Sequence, residues 1–226
     1  MVALMYAESR LPGVSRLEFL ARWRQHGAFA LATPRFRSSV LRYAHRDPLV
    51  NVSRFPGANT DYDALGEIAC ADADTLTGLL ESAEMIQSIR ADGTATFART
   101  RTVSAAVEER HLRDEYVASV AVSAFLASAG NTTKLSERVS DVHRELLSQC
   151  GPVAALARRV SVSPSIDPDA RWGVFVDLGF DHVDDAAAAY SQWWPTIRDS
   201  LQADVRDHIV IVSVRCPLYD PASLRG

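Results

Sequence analysis

Of the six histidines in the chain, His26 stands where an imidazole could do proton chemistry. Phe19, Trp23, His26 and Ala30 recur at i, i+4, i+7 and i+11, one face of a helix, with Glu18, Arg22 and Gln25 on the other. An imidazole in such a stripe loses water. Its charged form is then disfavoured, which leaves a neutral base near physiological pH, able to take a phenolic or enolic proton. The alternative is a hydrogen-bonded core histidine closing a helix end. A second set comprises His143, Trp172, Tyr190 and Trp193. Flat rings of this kind suit a planar ligand by stacking, or simply fill a core. Tyr43 and His45 alternate and share one strand face. Tyr62 and Asp63 open the next strand. Asp63 could orient a histidine as a carboxylate does in hydrolytic triads, or serve as a turn carboxylate. Arg99 and Arg101 on a later strand could hold an oxyanion or pair with Glu67. No His/Cys/Asp cluster has metal-ligand spacing, so no metal is expected. No GxGxxG, P-loop or GxSxG occurs.

The elements that must position these groups appear twice. Residues 2–107 and 119–215 each read strand, helix, strand, strand, helix, strand, the βαββαβ order of a ferredoxin-like unit. In the first copy, strand 2–7 leads through Arg10-Leu-Pro-Gly13 to a capping box, Ser15 with Glu18, which starts the helix; Pro34 ends it. Strands follow at 39–45 and 62–71, joined by residues 47–61, a long loop that could act as a lid. Leu76, Leu79, Leu80, Ala83 and Ile86 stripe a second helix, closed near Asp92-Gly93, before strand 96–107. The charged stretch 108–115 reads as a joint. A shift of 117 then lays strand 2–7 on 119–124 and His26 on His143. Leu135, Val139, Val142 and Leu146 stripe the third helix; strands follow at 158–163 and 172–180. The last helix carries Tyr190 and Trp193 inward and meets Pro195, which kinks or breaks it. The final strand covers 207–213. The expected fold is α+β: two tandem ferredoxin-like βαββαβ repeats, 1–107 and 116–226, forming an intramolecular dimeric α/β barrel, with 108–115 as linker.

The chain of 226 residues is 47% hydrophobic and 23% charged, with a formal net charge of −4. This is globular composition without a basic footprint, so nucleic acid is not an expected partner. No run approaches the length of a membrane span. The opening residues read as a first strand rather than a signal peptide. Cys70, Cys150 and Cys216 fall in no CxxC pattern and read as reduced thiols, which places the protein in the cytoplasm.

The opening strand, Pro12-Gly13-Val14-Ser15, the helix F-L-A-R-W-R-Q-H ending at His26, Tyr62-Asp63 and the S-A-E-M-I-Q segment at 82–87 resemble the EthD family of the dimeric α/β-barrel superfamily. After His26 the chain has Gly27, where the family usually has a second histidine or a bulky residue. The resemblance implies a cavity between sheet and helices. Relatives include cofactor-independent oxygenases and cyclases of aromatic polyketides, lactone isomerases and haem enzymes. The function expected is tailoring of a small hydrophobic aromatic substrate of polyketide-type, antibiotic-like metabolism. The reaction is a monooxygenation of a phenol or quinol with His26, or else His143, as base. Phe19, Trp23, Tyr43, His45, Tyr62, Asp63, Trp172, Tyr190 and Trp193 are the expected substrate-binding set. No bound cofactor is expected, only O2, with externally supplied reduced flavin as a variant. A cyclase, dehydratase or isomerase using the same base, a non-catalytic carrier of hydrophobic metabolites, and haem ligation by His26 are the alternatives. The fold leaves room for a homodimer.

Overall fold

A computed structural model of the protein describes residues 1–99, 101–115 and 118–219. These fall into two compact units. The first comprises residues 1–47, 61–104 and the segment from Cys216; the second comprises 48–60 and 105–215. Both are mixed α/β with antiparallel strand pairs.

The first unit runs β1 (Val2–Glu8), α1 (Arg16–Ala32), α2 (Pro34–Ser39), β2 (Arg42–Pro48), β3 (Ala64–Cys70) and α3 (Ala73–Leu80). A π-helical turn (Met85–Ile89), α4 (Arg90–Thr94) and the start of β4 (Val103–Glu108) complete it. The capping box forms as expected: the Glu18 N–H donates to Ser15 Oγ, and the Ser15 N–H donates to Glu18 Oε2 at 2.9 Å. The buried face of α1 is Phe19, Trp23, His26, Gly27 and Ala30. Pro34 ends α1 and also begins α2, because a first-turn proline gives up an N–H that needs no helical partner.

The register of the three paired strands lays Tyr6 beside Gly66 and Gly66 beside His45; the neighbouring row is Leu4, Ile68 and Tyr43. Gly66 has no side chain, and the Tyr6 ring takes that space. A Cβ at Gly66 would meet Tyr6 Cζ at 2.0 Å and its hydroxyl at 2.4 Å. Gly27 plays the same part on α1: a Cβ there would meet His45 Cε1 at 2.8 Å. The residue that departs from the family pattern is thus the one that lets α1 settle against His45.

Two expectations for this unit need correction. The stripe of the second helix changes phase after Leu80. Met85 and Ile89 are buried and Ile86 is 48% exposed, because the π turn adds a residue to the repeat. The fourth strand begins at Val103 rather than 96. Phe97 makes an isolated bridge with Arg10, and Arg99 has φ +48, a left-handed conformation that no strand accommodates. Arg99 and Arg101 therefore do not share a strand face. Glu67 takes Arg42 and Arg46 as partners instead, and Arg101 pairs with Asp61 at 3.1 Å.

The second unit carries β5 (His111–Asp114), β6 (Val120–Ser128), α5 (Thr132–Ser148), α6 (Pro152–Leu156), β7 (Arg159–Pro164), β8 (Val174–Phe180), α7 (Val183–Leu201) and most of β9 (Val205–Tyr219). Its strands lie in the order β9-β6-β8-β7-β5. The stretch expected as a plain joint therefore holds a strand, β5, paired with β7. The 47–61 loop is no lid. Phe55 lies in this unit's core, the Tyr190 hydroxyl donates to Pro56 O at 3.0 Å, and the Leu49 and Asn59 N–H groups donate to β9. Nor does Pro195 break α7. Trp193, Trp194, Ile197 and Leu201 are buried around it, and that packing outweighs the roughly 3 kcal/mol a mid-helix proline costs. Among the described residues no helix is long and apolar enough to cross a membrane.

His143 is a core residue of this unit. Its Nδ1–H donates to Val139 O at 2.7 Å and its Nε2 accepts from Trp193 Nε1 at 2.9 Å, so both nitrogens are used. Burial pushes its pKa from 6.5 down to about 4. The unfolded chain therefore takes up a proton that the folded chain refuses. Stability is full above pH 6.5 and falls as pH drops towards 4, by about 3 kcal/mol from this residue. His143→Gln, which does not titrate, should flatten the acid limb of a plot of urea-unfolding free energy against pH; an unchanged limb would refute the assignment. Gly66→Ala should lower the unfolding free energy by about 1–3 kcal/mol through collision with Tyr6. An unaltered urea midpoint would show that Tyr6 does not lie across Gly66.

Candidate active site

The sheet face of the first unit and its helices enclose a cavity of about 270 Å³. Phe36, Tyr43 and Ile68 are buried at its floor, and Leu4, Tyr6 and Glu8 project from alternate positions of β1. Leu80, Met85, Ile89 and Phe97 wall it; Arg90, Arg99, Thr102 and Ser104 are exposed at its mouth.

His26 lines this cavity from α1. Its Nδ1 lies 2.7 Å from Asp92 Oδ2, and Asp92 Oδ1 accepts from Arg22 at 2.7 Å. A carboxylate held by a guanidinium is acceptor only, so Nδ1 carries the proton and the neutral ring keeps a bare lone pair on Nε2. Nε2 has no protein partner among the described residues. Burial lowers the His26 pKa; the hydrogen bond and charge of Asp92 oppose this, while Arg22 and Arg99 add to it. The ring is a neutral base with a fixed tautomer, packed edge-on to Phe97 at 5.5 Å.

A second chain of polar groups approaches from β2. Arg24 Nη1 lies 2.9 Å from His45 Nδ1, and His45 Nε2 lies 3.0 Å from the Tyr43 hydroxyl. A guanidinium has no acceptor, so His45 must accept at Nδ1, carry its proton on Nε2 and donate that proton to Tyr43. With His45 donating to it, the Tyr43 hydroxyl keeps its own proton to give, and the Tyr6 phenol interacts with it. The Trp23 indole N–H is buried without a hydrogen-bond partner among the described residues. Burial, with Arg24 next in weight, holds the His45 pKa well below its usual value, and burial pushes the Tyr6 phenol up to about 12. Trp23 stacks on the His45 ring at 3.9 Å, and Asp47 neutralises Arg24 through both carboxylate oxygens at 2.6 Å.

Glu8 completes the cavity's ionisable groups. Burial raises its pKa, opposed by the Thr102 hydroxyl, which donates to Oε2 at 2.7 Å, and by Arg99. Arg99 and Arg90 donate to the backbone carbonyls of Arg90 and Leu80, each at 3.0 Å, and neither makes an ion pair among the described residues.

Of the expected site residues, His26 and Tyr43 line the cavity. Phe19, Trp23 and His45 lie behind its wall; Phe19 and Trp23 belong to one apolar cluster with Ala64 and Phe97. Tyr62 is buried away from it. Asp63 ties down Arg10 at 2.6 Å and Arg16 at 3.5 Å and orients no histidine. His143, Tyr190 and Trp193 fill the second unit's core, and Trp172 packs on Phe125. They line no part of this cavity because bulky rings already occupy their own space. Missing from the expectation are Tyr6, Glu8 and Asp92; Arg99, expected on a strand face, lies at the cavity mouth. Tyr6 and Glu8 had a signal, since polar residues alternate along an otherwise apolar strand. Asp92, 66 residues from His26 in sequence, had none.

Residues 11–101 match the EthD domain family. The chain is similar in structure to an anthrone oxidase-like protein: TM-score 0.65, 10% identity, 96% of this chain and 92% of that one covered. It is also similar to a candidate monooxygenase of Fusobacterium nucleatum (TM-score 0.59, 7% identity, 95% and 91% covered). A mutant chlorite dismutase from Candidatus Nitrospira defluvii gives TM-score 0.54 at 8% identity over 96% and 92%. No curated protein matches the chain in sequence. At such identities the structural likeness speaks for the fold. Residues 11–101 are thus similar to the EthD domain, and the chain shares the fold of these solved structures.

Proposed function

We propose that the protein is a small-molecule oxygenase whose first unit deprotonates a phenolic substrate with His26 and lets the anion react with O2, without a bound cofactor. The observation that carries this reading is the bare Nε2 of a neutral imidazole, locked by Asp92 on the wall of a cavity. His26 is the catalytic base, Asp92 positions it, and the apolar wall of Leu80, Met85, Ile89 and Phe97 limits water around the anion. The likeness to an anthrone oxidase-like protein and a candidate monooxygenase agrees with it.

Size sharpens the reading. A dry cavity of roughly 150 Å³ accepts benzene, so about 270 Å³ suits one or two fused rings. On this reading no cofactor shares the cavity with the substrate. The chemistry must then close on the substrate's own electrons. A phenol such as 1-naphthol, whose keto tautomer carries a methylene, supplies all four. The methylene becomes a carbonyl with one oxygen atom of O2, the other leaves as water, and the product is 1,4-naphthoquinone. Glu8, held towards its neutral form, beside a neutral base also favours a second reading, an isomerase or dehydratase that needs no O2.

Oxygen uptake with 1-naphthol should exceed the uncatalysed rate, and 18O2 should place one labelled atom in the quinone. His26→Gln should cut the rate at least about a hundredfold. Turnover of 1-naphthol under strict anaerobiosis would reject the oxygenase in favour of the second reading. Asp92 raises the His26 pKa, so Asp92→Asn should move the acid limb of the pH–rate profile to lower pH and reduce the plateau about tenfold or more through lost orientation. A limb that moved to higher pH would contradict the dyad.

A further inference from the structure

We propose that Tyr6 is the anchor for a ligand oxygen: its hydroxyl donates to a carbonyl or phenolate oxygen of a flat, one- or two-ring ligand whose acidic hydrogen faces His26. This deepens the reading above and rests on it for the second half of the statement. The first half stands on the polar chain alone.

Arg24 can only donate, so His45 and then Tyr43 are each supplied with a hydrogen bond from the preceding group, and the Tyr43 proton is left for the Tyr6 phenol that interacts with it. The Tyr6 oxygen therefore acts as the chain's acceptor and has its own O–H left over. Tyr6 makes no hydrogen bond to any further side chain among the described residues, and it lines the cavity while remaining half-buried. The outlet for that proton is the cavity. A phenol that accepts one hydrogen bond donates a stronger one, because each bond in such a chain polarises the next. Gly66 fixes where the ring lies, since no side chain could share its place. The arrangement is a preorganised donor aimed at an oxygen, and an oxygen that gains negative charge when a conjugated proton leaves would gain most from it. In that event Tyr6 is a catalytic residue, while Tyr43, His45 and Arg24 are positioning residues acting through it.

The test uses the full chain and two unreactive probes of the inferred size, 1-tetralone and its hydrocarbon analogue tetralin, titrated by calorimetry. Tyr6→Phe keeps the ring and the packing. It should weaken 1-tetralone about tenfold and leave tetralin unchanged. Tyr43→Phe should give a smaller loss, a few-fold, again for the ketone alone. The infrared carbonyl band of bound 1-tetralone should lie at lower wavenumber in wild type than in Tyr6→Phe. Equal loss for both probes would mean that Tyr6 only shapes the wall, and a ketone affinity indifferent to Tyr6→Phe would overturn the proposal. A Tyr6-dependent ketone site in a protein that consumes no O2 with 1-naphthol would keep the anchor and refute the oxygenase. O2 uptake with no Tyr6 dependence of binding would do the reverse.

Discussion

A guanidinium has five N–H donors and no acceptor, and that one-sidedness orders the polar side of the first unit. Arg24 forces His45 to accept, which makes His45 a donor to Tyr43 and leaves the Tyr43 proton for the Tyr6 phenol. Without Arg24 the buried imidazole could adopt either tautomer and the direction of the chain would be undetermined. The cation itself stays affordable because Asp47 holds it with both oxygens, outside the stack formed by Trp23 and His45. His26 is ordered by the opposite logic: a carboxylate, Asp92, can only accept, so the imidazole must donate to it and leaves its other nitrogen bare. Two histidines about twenty residues apart thus present opposite faces of the same chemistry.

Close packing is what allows both. Gly27 and Gly66 are absences of side chain at the two points where the chain of donors needs room, one for the His45 ring and one for the Tyr6 ring. Interiors are packed tightly enough that a single methyl at either point displaces an aromatic group. The second unit shows the converse. It repeats the order of elements, but Tyr190 and Trp193 pack in its core around His143, and Trp193 closes the free nitrogen of that histidine. Equivalent positions in two copies of one topology therefore carry a base with an open lone pair in one and a satisfied core residue in the other.

What was legible in the sequence follows from this. The stripe through Phe19, Trp23 and His26 is local periodicity, and the helix forms where the capping box starts it. The tandem order was legible for the same reason, since strand alternation and helical spacing are short-range signals. The loop at 47–61 was misread because its turn formers hide Phe55, whose ring belongs to a core assembled from distant segments. Arg99 was placed on a strand because the apolar alternation runs through it. A backbone with φ +48 overrides that pattern and turns the residue to the cavity mouth. Tyr6 and Asp92 acquire meaning only across the sheet and across 66 residues of chain, through Gly66 and His26.

The charges around the cavity point one way. His26 is kept neutral by burial, and burial draws Glu8 towards its neutral form. Arg90 and Arg99 remain cationic and bond to backbone carbonyls rather than to carboxylates. A ligand entering such a space meets the guanidiniums of Arg90 and Arg99 at its exposed mouth, which favour an anion over its neutral form. Taking a proton from the ligand makes His26 positive, but Asp92 is already in contact to balance that charge, so the pair of opposite charges formed by the transfer finds both partners in place. The electrostatics, more than the shape, argue for a cavity in which a proton is moved.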